Sequence, residues 1–282
     1  MIIKKLKHHH RGAVLKLLLS DLHSNLFLID LLFRRGINSS IYEHWLGAFQ
    51  DQKIIAISVS FGRSATSHVA RLIVAVGDSK ACERLGTEES ERGGTEMIIG
   101  DRPTSDALYA KWKQDAHIVY DQRLYVCHSV STQETIPVRF ATKKDMDIVF
   151  QYSAQMIMED LKYDPRTLHP RRFRASVQSK IERNKCIVAE HNGEICYIID
   201  IGTQFRLGCQ LGGTFVPPKF RGKGISTKAT AAVCKLMLSS CDCVTLHVHE
   251  QNIPAIRCYE RVGFQASTPF RLISFLGTNH AQ

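Results

Sequence analysis

The chain has 282 residues, 44% of them hydrophobic, and a formal net charge of +10. This length predicts about two domains of ordinary size, each able to bury a core. The longest apolar stretch is broken by charges near Asp30 and Arg34, which argues against a membrane-spanning segment. The nine cysteines follow no regular spacing, which favours reduced thiols in a cytoplasmic protein over a secreted disulfide framework.

The positive charge predicts a polyanionic partner, either nucleic acid or a small phosphorylated cofactor. The densest basic cluster spans residues 165–185, where we expect a solvated helix face, because charge runs usually have no other role. The chain has neither an aromatic-rich basic sheet pattern nor zinc-finger spacing. Nucleic acid therefore ranks behind the phosphorylated cofactor.

The N-terminal half is predicted to contain a hairpin between helices. Two helices from about Val14 to Arg35 precede the hairpin, which turns at Asp51-Gln52. The elements predicted after it are a strand at ARLIVAV, a helix near 79–86, a strand at EMIIG, a helix through Leu108 and Trp112, and strands near 118–128.

The C-terminal half repeats this order with clearer boundaries. A strand ends at Thr142, which forms a capping-box pattern with Asp145. A basic helix around 170–183 precedes a hairpin through Asn192-Gly193, the dipeptide typical of a type I′ turn. The remaining predicted elements are a strand at about Cys209 to Val216, a helix with a buried stripe at Ile225, Ala229, Ala232, Val233 and Leu236, a strand at CVTLHV, a helix capped by Asn252 and ended by Gly263, and closing strands from Phe264 to Phe275.

This repetition predicts an α+β protein built from a tandem duplication. We expect a degenerate N-terminal domain at residues 1–130 and a functional C-terminal domain at residues 131–282. The turn Gly77-Asp78-Ser79-Lys80 carries an acid where the corresponding C-terminal turn carries Arg221. Only the C-terminal copy is therefore predicted to keep its site.

The turn PPKFRGKGIST at residues 217–227 joins an apolar strand to a helix. The first amides of a helix have no internal partner, and the helix dipole places about half a positive charge there. Gly222 and Gly224 would leave room for a pyrophosphate to reach these amides. Arg221, Lys223 and Lys219 would add positive charge around it. The turn lacks the Gly-Lys-Ser/Thr ending of nucleotide-hydrolysing P-loops and the Rossmann spacing. An ordinary glycine turn remains the alternative.

Two segments carry a family resemblance. RGKGIS at residues 221–226 fits the motif Gln/Arg-x-x-Gly-x-Gly/Ala, except that Ser226 replaces the final Gly/Ala. NIPAIRCYERVGF at residues 252–264 fits Asn-x-x-Ala-x-x-x-Tyr-x-x-x-Gly-Phe. Through them residues 136–282 resemble the GNAT family of acyl-CoA-dependent N-acetyltransferases. MIMEDLKYDP at residues 156–165 resembles a subgroup in which a divergent acetyltransferase-like domain precedes the active one. The resemblance implies tandem GNAT folds, each a mixed, mostly antiparallel central sheet flanked by helices.

The resemblance implies an N-acetyltransferase that moves an acetyl group from acetyl-CoA to an amine of a small molecule, peptide or protein. The strand edge near Phe215 and Val216 would pair with the pantetheine arm. The implied cofactor-binding residues are Phe215, Val216, Arg221, Gly222, Lys223, Gly224, Ile225, Ser226, Asn252 and Tyr259. Two alternatives remain open: Asn252 serves only as a helix cap, and Tyr259 only packs its ring.

The acceptor amine must lose a proton before it attacks, because a free lysine amine has a pKa of about 10.4. The resemblance implies Tyr259 as the proton donor to the departing thiolate. We expect Glu250 as the base, since it follows the strand TLHVH at the place where strands splay in this family. Glu159, Asp160, His249 and a water relay remain alternatives.

A metal site is not expected. Cys241, Cys243, His247 and His249 have the spacing C-x-C-x3-H-x-H. On an extended strand the outer two would lie roughly 26 Å apart, whereas zinc ligands lie within about 4 Å of one another. Val244, Leu246 and Val248 instead predict an ordinary buried strand face.

Two further functions stay open from the sequence. In the first, the protein is a non-catalytic acyl-CoA sensor or scaffold whose pocket only binds the cofactor. In the second, it is a basic nucleic-acid binder that uses residues 165–185. We expect no membrane partner. The identity of the amine acceptor stays open, and so does a homodimer.

Overall fold

The computed structural model of the chain describes residues 1–37, 43–61 and 71–276. The chain divides into two compact units, Met1–Gln122 with Thr268–Gln282, and Arg123–Ser267. The chain from Thr268 onwards thus belongs to the first unit, whereas the sequence predicted that it belongs to the C-terminal domain. The boundary near residue 130 stays a prediction about separable domains.

The first unit has one mixed sheet with strands in the order β1-β2-β3-β4-β5-β12. β4 and β5 are parallel, whereas the other neighbours in this order are antiparallel. Its elements are β1 (Ile2–Lys5), α1 (Arg11–Leu18), α2 (Leu26–Arg35), β2 (Glu43–Gln50), β3 (Lys53–Phe61), β4 (Leu72–Gly77), α3 (Ser79–Glu91), β5 (Met97–Asp101) and α4 (Arg102–Tyr109), together with parts of β6 (Ile118–Cys127) and β12 (Gln265–Ser274).

The second unit repeats this arrangement with the strand order β7-β8-β9-β10-β11, in which β10 and β11 form the parallel pair. Its elements are β7 (Val138–Phe140), α5 (Met146–Leu161), α6 (Pro165–Leu168), α7 (Pro170–Glu182), β8 (Cys186–His191), β9 (Glu194–Phe205), β10 (Gly208–Phe215), α8 (Ile225–Leu238), β11 (Val244–His249) and α9 (Ile253–Val262). The mixed, mostly antiparallel sheets confirm the predicted α+β class and the repeated element order.

Side chains that alternate along the strands of the second unit separate two cores. On β9, Tyr197 and Ile199 pack with α8 and α9, while Ile198 packs with α5 and α7. This alternation follows from the two-residue period of a strand. The sheet of this unit is therefore covered by α5 and α7 on one face and by α8 and α9 on the other.

Several local predictions are confirmed by backbone geometry. Both hairpins turn through left-handed residues, Asp51 and Gln52 in the first and Asn192 and Gly193 in the second. Thr142 and Asp145 form the predicted capping box before α5. Each turn or cap is set by residues close in sequence, which is why the sequence alone located it.

Other predictions were wrong in detail. The regions near 118–128 and from Phe264 to Phe275 were each predicted to hold more than one strand, but each contains one, β6 and β12 respectively. The strand β1 and the helix α6 were not predicted. α4 ends at Tyr109, so Trp112 lies beyond it and stacks on Phe275 with ring centroids 6.1 Å apart. On α8 the buried stripe runs through Val233 to Met237, which is 2% exposed, whereas Leu236 is 43% exposed.

In the described ranges of the chain, no helix combines the length and the hydropathy needed to cross a bilayer.

We predict that Asp145→Asn lowers the free energy of unfolding by about 1–2 kcal/mol at pH 7, because the charged hydrogen bonds from Arg139 and the negative charge at the start of the helix are lost. Asp145 accepts from the Thr142 amide at 2.7 Å and from Arg139 at 2.7 and 2.9 Å. The hydrogen bonds from Arg139 are the main reason that the pKa of Asp145 is lowered to about 2. The stabilisation is therefore present above the unfolded pKa of about 4 and is lost as the pH falls through about 2.

Urea unfolding at pH 7 and at successively lower pH measures this effect. Asp147→Asn is the matched control, because the Asp147 side chain is 82% exposed on the first turn of the same helix. We expect that control to change stability by less than about 0.5 kcal/mol. Equal losses in the two variants would contradict the assignment.

Candidate active site

The turn before α8 is built around two glycines in left-handed conformations. Gly222 has φ +76° and Gly224 has φ +73°, angles that other residues adopt only with strain. A Cβ atom placed on either glycine would meet no other atom within 4 Å. Glycine is thus required here by backbone angle, and the space in front of the turn is open.

The N-terminus of α8 presents unpaired amides to this open space. Gly224 occupies the N-cap position, and no side chain caps the helix. The first internal hydrogen bond runs from the Lys228 amide to the Gly224 carbonyl at 3.2 Å. The preceding amides of the helix therefore have no partner within it, and the helix dipole adds positive potential at the same place. Such an end binds an anion such as a phosphate.

The cations near this turn are already engaged. Arg221 makes a bidentate pair with Glu159 at 2.8 and 2.9 Å, and its Nε donates to the Val216 carbonyl at 2.8 Å. Lys219 forms an ion pair with Glu194. Lys223 lies with its Nζ 5.9 Å from the centre of the Phe220 ring. The amides of the turn, rather than free arginine and lysine charges, are thus the main feature of the anion site.

The strand that leads into the turn separates from its parallel neighbour. β10 pairs with β11 at Cys209 and Gln210, and towards its end β10 changes register against β9 between Gly212 and Phe215. Gly213 at this irregularity has φ +59°. The splayed strands leave backbone groups of β10 available for a ligand. The Phe215 side chain itself is buried and is 3% exposed, so Phe215 can contact a ligand there only through its backbone.

Tyr259 lies on α9 and is 7% exposed. Its ring packs edge-on against Phe264 with centroids 5.8 Å apart, and its hydroxyl hydrogen-bonds with Thr214 of β10. Burial is the main cause that raises the pKa of Tyr259 to about 12, and the bond with Thr214 opposes it. The hydroxyl therefore stays protonated at neutral pH.

Asn252 and Gly263 bound the helix that carries this tyrosine. The Asn252 side chain accepts from the Ala255 amide at 3.2 Å, and Gly263 ends the helix with φ +118°. A Cβ on Gly263 would lie 2.6 Å from the Ser129 carbonyl oxygen, so glycine is required there by space as well as by angle. The capping role predicted for Asn252 is confirmed.

The candidate bases differ in their partners. Glu250 accepts from Arg123 at 2.9 Å, and Arg123 also donates to the Ser267 carbonyl at 3.1 Å. Glu159 is held by Arg221. Asp160, on the last turn of α5, reaches solvent, yet enclosure by protein atoms is the main cause that raises its pKa to about 6.

The four residues with metal-like spacing do not line one strand. Cys241 and Cys243 precede β11, which begins at Val244. Within the strand Val244, Leu246 and Val248 are 0%, 2% and 4% exposed, as the alternation predicted. In the part of the chain that the structure describes, no three His, Cys, Asp or Glu side chains are grouped as metal ligands.

The equivalent turn in the first unit has the opposite character. Asp78 caps α3, its side chain accepting from the Ala81 amide at 2.9 Å. The Thr104 hydroxyl donates to the Ala75 carbonyl of β4 at 3.1 Å, and Thr104 is 3% exposed. A carboxylate thus accepts a hydrogen bond from an amide at the start of the helix, and a buried hydroxyl donates one to a strand carbonyl. This turn is not suited to an anionic ligand.

Two residues near the site, Thr214 and Arg123, belong to no pattern in the sequence. Thr214 meets Tyr259 only because β10 and α9 come together in space, and Arg123 reaches Glu250 from β6. Neither belongs to a motif. The one sequence signal was the proximity of Thr214 to the glycine turn.

Comparison with known proteins finds a family match within the C-terminal half of the chain. Residues 154–264 match the model of the acetyltransferase (GNAT) family, a segment that contains the glycine turn and Tyr259. No curated protein sequence matches the chain.

Solved structures with this fold cover nearly the whole chain. An acetyltransferase of the GNAT family from Colwellia psychrerythraea is 13% identical, covers 98% of this chain and 100% of its own, and has a TM-score of 0.57. A GCN5-related N-acetyltransferase from Sphaerobacter thermophilus is 14% identical, with 96% and 94% covered and a TM-score of 0.60. A tandem GNAT protein from the clavulanic acid biosynthesis pathway, solved without AcCoA, is 10% identical, with 99% of both chains covered and a TM-score of 0.56.

At these identities the likeness shows the fold alone, and the family match is confined to residues 154–264. Residues 154–264 thus form a segment that matches the GNAT acetyltransferase family, in a chain with the fold of tandem GNAT proteins.

Proposed function

We propose that the second unit transfers an acetyl group from acetyl-CoA to an amine of a small molecule, peptide or protein. The N-terminus of α8 carries this proposal, because Gly222 and Gly224 leave its uncapped amides open within the segment that matches the family. The diphosphate of acetyl-CoA would be held by the turn at residues 221–226, and its pantetheine arm by the backbone of β10 near Phe215 and Val216. The thioester supplies an activated acyl group.

Tyr259 is the proposed acid. Its raised pKa of about 12 keeps the hydroxyl protonated at neutral pH, so it has a proton to give to the sulfur of the leaving thiolate. Thr214, the hydrogen-bond partner of this hydroxyl, lies near the end of β10 where the strands splay. The base is a carboxylate that accepts the proton of the acceptor ammonium. Glu250 was the first candidate from sequence.

We further propose a cytoplasmic protein whose first unit, assigned to residues 1–130, is degenerate. All nine cysteines are buried and free, as expected for reduced thiols. The nucleic-acid alternative loses support, because much of the basic cluster is engaged within the fold. Arg166 pairs with Asp164, and Arg174 with Asp147.

An amine-acceptor screen that follows the release of free CoA thiol tests the proposal directly. Release above the rate of thioester hydrolysis, with mass spectrometry of the acetylated amine, would support it. Tight binding of acetyl-CoA without release for any amine class would favour the sensor or scaffold function.

We predict that Gly224→Glu abolishes binding of acetyl-CoA, because it places a carboxylate at the N-terminus of α8, where the diphosphate would lie. Gly224→Ala is the matched control. It adds about 1–2 kcal/mol of backbone strain at φ +73° without a charge. Isothermal titration calorimetry should therefore rank the affinities as wild type, alanine variant and glutamate variant. Equal affinity of the glutamate variant and the wild type would overturn the site.

The same calorimetry should give a stoichiometry near one for the wild-type chain. The reason is that Asp78 caps α3 in the first unit and repels an anion at that turn. A value near two would show that the first unit also binds the thioester.

We predict that Tyr259→Phe leaves the affinity for acetyl-CoA unchanged and lowers kcat by about 100-fold, the usual scale of a lost general acid. Tyr125→Phe is a suitable control. The Tyr125 hydroxyl lies 3.4 Å from Glu260 in the same unit but has no proposed catalytic role. Unchanged kcat in Tyr259→Phe with a reactive amine would remove the acid assignment.

A further inference from the structure

We propose that the first unit carries a binding surface for single-stranded nucleic acid, formed by the edge strand β1, the turn that follows it and the end of β2. This role goes beyond the acyl transfer proposed above and does not depend on it. The surface combines exposed cations with accessible aromatic rings. These are the two components with which proteins hold the phosphates and the unstacked bases of a single strand.

The first twenty residues carry half of the net charge of the chain. They contain no aspartate or glutamate, and their lysine and arginine residues are Lys4, Lys5, Lys7, Arg11 and Lys16. The lysines are exposed and the arginine is partly exposed. Within the residues that the structure describes, none of the five forms an ion pair with a carboxylate. In the basic cluster at 165–185, by contrast, Arg166 and Arg174 each bind a carboxylate.

Protection of the sheet edge explains only part of this charge. Lysines on an edge strand keep it from pairing with other chains, which accounts for Lys4 and Lys5 on β1. Lys7 and Arg11 lie beyond the strand, where no edge needs this protection. Between them the three histidines at 8–10 form a single 3-10 turn. The positive charge therefore continues from the edge strand into a segment that carries rings.

Three rings lie among these cations. The His10 ring packs edge-on against Phe49 of β2 with centroids 5.4 Å apart, and the centroid of the His9 ring lies 3.9 Å from that of His10. The Nζ atom of Lys4 lies 5.8 Å from the centre of the Phe49 ring. His9 is exposed, and the other two rings are partly exposed. One lysine and three rings thus form a continuous patch.

Contacts within the fold hold this patch in place. Nδ1 of His10 accepts a hydrogen bond from the Lys7 amide at 2.9 Å. Leu6, at the start of the turn, is buried. A Cβ on Gly47 would lie 2.6 Å from Leu6 Cδ2 and 3.1 Å from Phe49 Cε2, so the glycine makes room for both side chains on β2. The rings are therefore ordered by the protein itself.

The combination of rings and cations favours single-stranded nucleic acid over other polyanions. Aromatic faces stack on unpaired bases of any sequence, while the cations neutralise the neighbouring phosphates. A duplex keeps its base faces inside the stack, so it can use only the charges. An acidic peptide offers no base to the rings. We assign stacking to Phe49 and His9, and phosphate contacts to Lys4, Lys7 and Arg11.

Fluorescence anisotropy of the full chain with labelled oligouridine and oligothymidine of about 16 nucleotides tests the proposal. We expect binding that weakens steeply between about 50 and 200 mM salt, and weaker binding of a duplex of the same length. The combined variant Lys4→Gln, Lys7→Gln and Arg11→Gln should flatten the slope of log affinity against log salt by about two, because each phosphate contact contributes about 0.7. The matched control combines Lys113→Gln, Lys143→Gln and Lys144→Gln, which removes the same charge from exposed lysines on other elements and should keep the slope.

A second set of variants tests the rings. Phe49→Leu should weaken binding of either oligonucleotide about tenfold at an unchanged salt slope, because stacking is lost while the charges remain. His9→Ala should act in the same direction, and it removes an exposed ring that the fold does not need. Phe140→Leu is the control, since this ring is 39% exposed in the second unit. Thermal unfolding shows whether Phe49→Leu is folded, and His9→Ala decides the question if it is not.

Several results would overturn the proposal. One is no binding of either oligonucleotide at about 50 mM salt. Equal losses in the two lysine variants, full affinity in both ring variants, or a duplex bound as tightly as the single strand would reduce the binding to unspecific charge attraction. Tighter binding of polyglutamate, or of vesicles of phosphatidylcholine and phosphatidylserine, would assign the surface to an acidic protein or a membrane. None of these outcomes depends on whether the second unit acetylates an amine.

Discussion

The unsatisfied amides at the start of α8 are the feature on which the candidate site depends. A helix must begin with amides that have no internal acceptor, and proteins usually cover them with a side chain or water. Here Gly224 occupies the cap position and provides no side chain. The left-handed angles of Gly222 and Gly224 keep the approach clear. The protein thus presents backbone polarity rather than side-chain charge to an anion.

The two units show how one topology is used in opposite ways. In each, a helix connects the two parallel strands of an otherwise antiparallel sheet. In the first unit Asp78 satisfies the helix amides and Thr104 binds the strand carbonyl, so the turn is closed by its own side chains. In the second unit no side chain caps the corresponding helix, and the space in front of its first amides is open. Internal satisfaction favours stability, and its absence leaves amides available to an anion.

The chemistry of the second unit depends on elements that are distant in sequence. Thr214 on β10 bonds with Tyr259 on α9, and Glu159 on α5 pairs with Arg221 of the turn. These contacts tie the turn, the proposed acid and the helix α5 to the splayed end of one strand. Burial is the main cause of the raised pKa of Tyr259.

The sequence by itself determined the local features of this protein. The capping box at Thr142, the type I′ dipeptide Asn192-Gly193, the glycine turn before α8 and the cap at Asn252 each involve residues only a few positions apart. Their conformations follow from backbone sterics and short-range hydrogen bonds, so a pattern of residue types is enough to locate them. The tandem order of elements was readable for the same reason.

Only the tertiary structure decided which charges are paired and which groups meet. The sequence suggested Arg221 as a cation for the phosphate, but folding brings Glu159 to it. Glu250 was favoured by its position after β11, yet Arg123 reaches it from a strand 127 residues away. The segment 268–276 joins the first unit for a similar reason, since strand pairing is settled by packing and not by nearness in the chain. Long-range pairing of this kind leaves no local pattern, and the ionisation of a site depends on it.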